Sequence, residues 1–191
     1  MTLHSDMAEL LAQAGILDVN IDDAVKDEHV RASAYQRVVT ATASSRSHDR
    51  DRDRDRVRDR AIVATILRDP SEITSKTAVA ALVDRIAMVS PGPAEFRQWS
   101  AELLPEFDQF KARGHRDFIH RRVHDWLLYL SVEDGHEPTP AELAEATDWM
   151  QRLLAENSTS PPVLALLAGS ARRKKTRNIA KNRAGFSGSP V

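Results

Sequence analysis

Apolar residues recur along this chain at intervals of three and four, the period of one face of an α-helix. The run from Arg116 to Ser131 shows it most clearly. Ile119, Val123, Trp126, Leu127 and Leu130 share one stripe, while His120 and His124 fall off it. A stripe this wide predicts a central core helix that other helices must cover. Upstream, Met7, Leu10, Leu11 and Ala14 predict a short helix capped by Asp6 and ended by Gly15. Val25, Ala32, Tyr35, Val38 and Val39 predict a longer helix that starts near Asp22 and degrades over Thr40 to Ser47. Ile62, Val63, Ile66 and Leu67 predict another, stopped by Asp69-Pro70. The next is capped by Ser71 or Thr74 and carries Val79, Leu82, Val83, Ile86 and Val89. Beyond the break at Ser90 to Pro93, helical spacing resumes at Phe96, Trp99 and Leu103. Pro105 kinks or restarts that helix, and Phe107 and Phe110 continue its face.

After the turn at Val132 to Gly135 comes the clearest helix start in the chain. Thr139 is placed to cap, Pro140 fits the first position and Glu142 the third. Leu143, Ala146, Met150 and Leu153 then predict one continuous amphipathic helix. Asn157 to Pro162 breaks it, and Val163 to Leu167 forms a last apolar helix closed by Gly169. No segment alternates apolar and polar residues cleanly over five positions with turns on both sides, so no strand is predicted. The pattern predicts an all-α fold: a compact multi-helix bundle with a helical N-terminal arm and a disordered basic C-terminal tail.

Composition narrows this picture. At 191 residues the chain has room for one core with extensions. Seven glycines and 5% aromatics disfavour a turn-rich β-fold. No apolar run reaches the ~18 residues of a membrane span, and the N-terminus has no signal-peptide pattern. The chain has no cysteine, which excludes disulfides, thiol catalysis and thiolate zinc sites. The expected setting is cytoplasmic, with no membrane partner and no cofactor.

Charge changes the picture more. Residues 1–168 carry 20 Lys and Arg against 28 Asp and Glu, whereas residues 169–191 carry 7 basic residues and no acid. An acidic body with a basic tail points to an anionic partner for the tail, or to contact between tail and body. From Asp49 to Arg60 stand six arginines and five aspartates, with Val57 the only apolar residue. Alternation places opposite charges at i,i+3 and like charges at i,i+4, so this run is read as unable to bury a face. It is a mixed-charge linker or solvated helix. The expected organisation is an N-terminal helical arm over 1–47, the Arg-Asp run over 48–60, a helical core over 61–168 and a basic, disordered tail over 169–191.

Candidate chemistry is sparse. His115, His120, His124 and His136 cluster, and His120 and His124 stand at i,i+4, a spacing able to hold a divalent metal. The intervening sequence matches the zinc-protease HExxH only in its outer histidines, since Arg121 occupies the position of the catalytic Glu. His124-Asp125 compares with the His-Asp dyad of the all-helical HD phosphohydrolases, with His115 or His48 as the earlier histidine and Asp148 as the later aspartate. That dipeptide alone does not establish a site. No phosphate loop or nucleophile elbow is present.

Three features point to nucleic acid. Glu137-Pro-Thr139 and Glu142-Leu-Ala144 resemble the EPTxxELA stretch that leads into the turn of bacterial sigma-factor-type modules. The resemblance covers about ten residues and implies a helix-turn-helix, but Ala146 to Met150 runs on without the glycine such a turn usually has. A second helical hairpin, 61–68 with 75–89, begins its second helix with Thr74-Ser-Lys-Thr77, small polar residues suited to phosphates and base edges. The strongest feature is the tail. Arg172, Arg173, Lys174, Lys175, Arg177, Lys181 and Arg183 form the candidate nucleic-acid-binding set, with Arg173, Arg177 and Lys181 on one helical face, accompanied by Asn178 and Asn182.

The sequence thus reads as a non-enzymatic nucleic-acid-binding accessory or regulatory protein, with DNA the first partner to test. The alternative is a helical adaptor that binds a protein partner or a second copy through its N-terminal helices. A histidine-metal hydrolase is the minor alternative. If Arg116 to Ser131 is the central core helix, Trp126→Asp abolishes the cooperative thermal transition, while His120→Ala shifts stability by less than about 0.5 kcal/mol. Circular dichroism melting of both variants checks this.

Overall fold

The computed structural model describes residues 2–46 and 52–186. Among them are eleven α-helices and no strand, the all-α class that the periodicity predicts. They are α1 (Leu3–Gln13), α2 (Ile21–Lys26), α3 (Glu28–Ser44), α4 (Arg52–Ile66), α5 (Glu72–Val89), α6 (Pro93–Phe107), α7 (Arg113–Glu133), α8 (Pro140–Glu145), α9 (Asp148–Asn157), α10 (Pro161–Ser170) and α11 (Lys174–Phe186). They divide into two compact units, one of residues 1–90 and 97–122, the other of residues 91–96 and 123–191.

In the first unit α3 packs along α5, with α1, α2 and α4 around them. The N-terminal helices expected over 1–47 pack within this unit. Met7, Leu10, Leu11, Tyr35, Val38 and Val39 are all buried. At 11 residues α1 is too short to stand alone in water, and it buries against α2, α3 and α4, while α3 buries against α5. Two starts differ from the sequence reading. Thr2 caps α1 in a reciprocal box with Ser5, while Asp6, the expected cap, is buried and paired with Arg68 at 2.8 Å. The expected single helix from Asp22 is two, because Asp27 ends α2 in an extended conformation and caps α3 through its side chain. Small polar residues from Thr40 to Ser44 do not stop α3, since Thr40 and Thr42 each return a hydroxyl to the carbonyl four residues earlier.

The Arg-Asp run is the largest correction. Residues 52–60 begin α4, and that helix does bury a face; the rest of the run, with His48, lies outside the described residues. Asp55, Asp59, Ile62 and Ile66 recur at helical spacing, so two aspartates extend the apolar stripe and are buried with it. Asp59 is fully buried and accepts the indole N–H of Trp99 at 3.0 Å and a guanidinium N–H from Arg46. Burial pushes its carboxyl up, against the opposing pull of Arg46, Trp99 and Arg58. The arginines are equally committed. Arg56 pairs with Asp53 and, at 2.9 Å, with Glu102. Arg58 reaches Asp55 at 3.2 Å, and Arg60 reaches Glu106 at 2.7 Å.

A second buried carboxylate, Asp69, receives Arg31 at 2.6 Å and the Tyr35 hydroxyl at 2.7 Å. It thereby ties α3 to the loop before α5. α6 runs unbroken through Pro105, which lies in its last turn, and buries Phe96, Trp99, Leu103 and Phe107.

The second unit contains the end of α7 and α8 to α11. Trp126 lies buried, with Tyr129 and Trp149 edge-on at 5.4 and 5.7 Å between ring centroids. The α7 stripe is close to that expected, except that Leu128 is buried and Leu127 is half-buried.

Asp59→Ala would leave the guanidinium of Arg46 and the indole N–H of Trp99 without their acceptor, at a cost of about 3 kcal/mol. Urea denaturation followed by tryptophan fluorescence reads this loss, and a change under about 1 kcal/mol would contradict the role given to the residue.

Candidate nucleic-acid interface

The basic segment is helical from Lys174 to Phe186, where the sequence suggested a tail without fixed structure; residues 187–191 lie outside the described residues. What orders it is packing. α11 lies against α10 and α9, with Thr176 and Ala180 buried beneath it. Thr176 and Ala180 supply one i,i+4 seam, enough to define an inner side when a neighbouring helix is apolar. α10 is such a neighbour, burying Val163, Leu164 and Leu167.

The seven candidate cations do not act alike. Arg177 folds back and donates to the carbonyls of Ala171, at 2.6 Å, and Arg172, at 3.1 Å. It satisfies acceptors in the short segment between α10 and α11. Arg116 does the same at the start of α7, donating to the carbonyls of Phe110 and, at 3.1 Å, Lys111. Arg183 donates to the carbonyl of Ala155 at 2.9 Å, near the end of α9. Arg172 and Arg173 precede α11 and share one acid: their Nε atoms lie 3.0 and 2.6 Å from the two oxygens of Asp148. Arg172 also donates to the carbonyl of Ala146. Lys174, Lys175 and Lys181 are exposed, together with Asn178 and Asn182. The expected face of Arg173, Arg177 and Lys181 is therefore not formed. Arg173 stands outside the helix, and Arg177 turns inward.

The first turn of α11 holds no acid and begins with two lysines. Cations at the positive end of a helix oppose its dipole by about 0.3–1 kcal/mol each, a cost that a bound anion reverses. The absence of a local acid leaves Lys174 and Lys175 with water or an external anion as counter-charge.

The α8–α9 region corrects the expectation of one continuous helix. The chain breaks at Ala146 and Thr147, both extended. No glycine is needed, because Thr147 accepts from the Met150 N–H at 3.2 Å. Its own N–H donates to buried Asp125 at 3.0 Å, and its hydroxyl donates to the same carboxylate. Asp125, half of the His-Asp pair in the sequence, is thus a structural clamp on this turn. Thr139, Pro140 and Glu142 cap α8 as expected, in a full reciprocal box. The Thr139 N–H and hydroxyl and His136 hold the Glu142 carboxyl below the usual range. Glu137, Glu145 and Glu156 are exposed around these helices, and Asp148 opens α9. That sign repels phosphate, so the resemblance to a sigma-factor-type turn does not carry DNA contact to α8 or α9.

The second hairpin is also occupied internally. Thr74 and Ser75 are buried. Thr74 donates to Glu28, and Ser75 donates to the Ile66 carbonyl at 2.9 Å. Nor do the histidines among the described residues converge. His115 faces Glu72 at 3.2 Å, His120 faces Asp108 at 2.8 Å and His136 faces Glu142 at 3.1 Å. Among the described residues no three His, Asp or Glu side chains are placed to hold a metal. None of their helices is long and apolar enough to cross a membrane.

No known protein family, curated protein or solved structure matches the chain.

The sequence offers Asp148 only as the later aspartate of the His-Asp comparison and gives no sign of its pairing with Arg172 and Arg173, which lie 24 and 25 positions away, beyond any helical periodicity. If Arg177 and Arg183 seat α11, Arg177→Ala with Arg183→Ala loosens it. Amide exchange across 176–183 rises at least tenfold and global stability falls by about 1–2 kcal/mol. Unchanged exchange in the double variant would show that the apolar seam alone holds the helix.

Proposed function

We propose that the protein is a non-enzymatic nucleic-acid-binding accessory or regulatory protein that contacts its partner through α11. The observation that carries this reading is the division of labour on α11. Arg183 ties the helix to α9, Arg177 folds back on the segment that leads into the helix, and its three lysines stand exposed without an acid in the same helix. A surface that only needed solubility would be served by mixed charge, as on α4. A one-sign face on a seated helix suits a polyanion, because each neutralised phosphate releases condensed counterions. Arg172 and Arg173 border this face, with side chains 50% and 73% exposed. Their bond to Asp148 is of the surface type that contributes about 0–1 kcal/mol, so phosphate can compete for them.

The adaptor reading calls for apolar surface on the N-terminal helices; the main stripes of α1 and α3 are buried within the first unit, while Leu17 and Val30 stay exposed. Nothing gathers the histidines for hydrolytic chemistry, and the metal reading has no geometric support among the described residues.

Fluorescence anisotropy on labelled duplex DNA and single-stranded RNA, across a salt series, tests the proposal. The full chain binds at low salt with a steep dependence on salt. Lys174→Ala, Lys175→Ala and Lys181→Ala together reduce the slope of log K against log salt by up to about 3 on duplex DNA. Absence of binding to either nucleic acid at low salt contradicts the proposal.

A further inference from the structure

The exposed face of α11 has an internal order that net charge does not require. At about 100° per residue, Lys181, Lys174, Asn178, Asn182 and Lys175 follow one another around the helix within an arc of about 120°. The two asparagines occupy the middle of that arc and the lysines its two margins; all five side chains are exposed. Gly185 falls between Lys174 and Asn178 on the same arc and has open space on its Cβ side. The buried residues Thr176 and Ala180 lie on the opposite side.

Asparagine is a poor helix former, because its side chain competes for nearby backbone groups. Two of them at i,i+4 on an exposed face add nothing to the packing of α11. They do add donor–acceptor amides, and an amide of this kind pairs bidentately with the N6 and N7 edge of adenine in the major groove. Lysines on either margin then meet the phosphate rims of the groove. A helix of about 10–12 Å diameter fits a major groove about 12 Å wide. Asn178 and Asn182 are about 6 Å apart along the helix axis, within reach of neighbouring base pairs.

From this arrangement we infer that α11 lies in the major groove of duplex DNA, with Asn178 and Asn182 on adenine edges and Lys174, Lys175 and Lys181 on phosphates. The inference rests on the proposed function and narrows its partner. Single-stranded nucleic acid is disfavoured because the lysines and asparagines from Lys174 to Asn182 offer no aromatic platform for stacking bases. Double-stranded RNA is disfavoured because its major groove is too narrow for side chains to read.

The test uses the full chain and labelled duplexes of equal length at two salt concentrations. One duplex is adenine-rich with mixed sequence, one is G·C-only, and one is the adenine-rich duplex with 7-deazaadenine replacing adenine. A labelled single-stranded RNA is included. The expected result is at least tenfold preference for the adenine-rich duplex over both others. Asn178→Ala with Asn182→Ala abolishes that preference and leaves the affinity for the G·C duplex within twofold. Equal affinity for all three duplexes overturns the inference while the nucleic-acid reading survives, as does tighter binding to the single-stranded RNA. A preference for adenine-rich DNA that 7-deazaadenine leaves intact also overturns it, by placing the contact in the minor groove. Failure to bind any of the probes overturns both.

Discussion

Arg183 turns its guanidinium onto the Ala155 carbonyl near the end of α9, Arg177 turns its own onto the Ala171 and Arg172 carbonyls just before α11, and these bonds decide which cations of α11 are left to face outward. A guanidinium bound to a carbonyl remains charged but no longer faces outward. It closes acceptors that helix ends otherwise leave to water, and it fixes which side of α11 is inner. With the inner side fixed by these two arginines and by buried Thr176 and Ala180, the outer side can only be Lys174, Lys175, Asn178, Lys181 and Asn182. Seven basic residues that look equivalent in the sequence are therefore three kinds: two that anchor, two held by Asp148, and three that face solvent.

The same economy of polar groups runs through the rest of the molecule. The chain is poor in aromatics, and buried carboxylates serve as junctions. Asp59 joins α4 to α6 and to the chain after α3, Asp69 joins α3 to the segment before α5, and Asp125 joins α7 to the α8–α9 turn. Each has several donors, which is the condition under which a buried charge is tolerable. These junctions specify which helices meet; the apolar stripes supply the burial that holds them.

What the sequence disclosed follows from the range of each signal. Thr139, Pro140 and Glu142 were legible because a capping box is complete within four residues. The α7 stripe and the all-α class were legible because periodicity is local. The alternation of sign hides the burial of Asp55 and Asp59: Arg58 pairs with Asp55 from within the run, whereas Arg46 and Trp99 reach Asp59 from elsewhere in the chain. The break at Ala146 and Thr147 was missed because it depends on Asp125, 22 residues earlier, rather than on a glycine. The helical state of the basic segment was hidden for a related reason. Its own propensity is modest, and burial against α10 decides the matter.

α11 is seated before any partner arrives, and native-state amide exchange of the full chain without nucleic acid reads this. Protection across Thr176 to Arg183 comparable to that of α9 and α10 is expected. Exchange there at the rate of an unstructured peptide, with α9 and α10 protected, would contradict it.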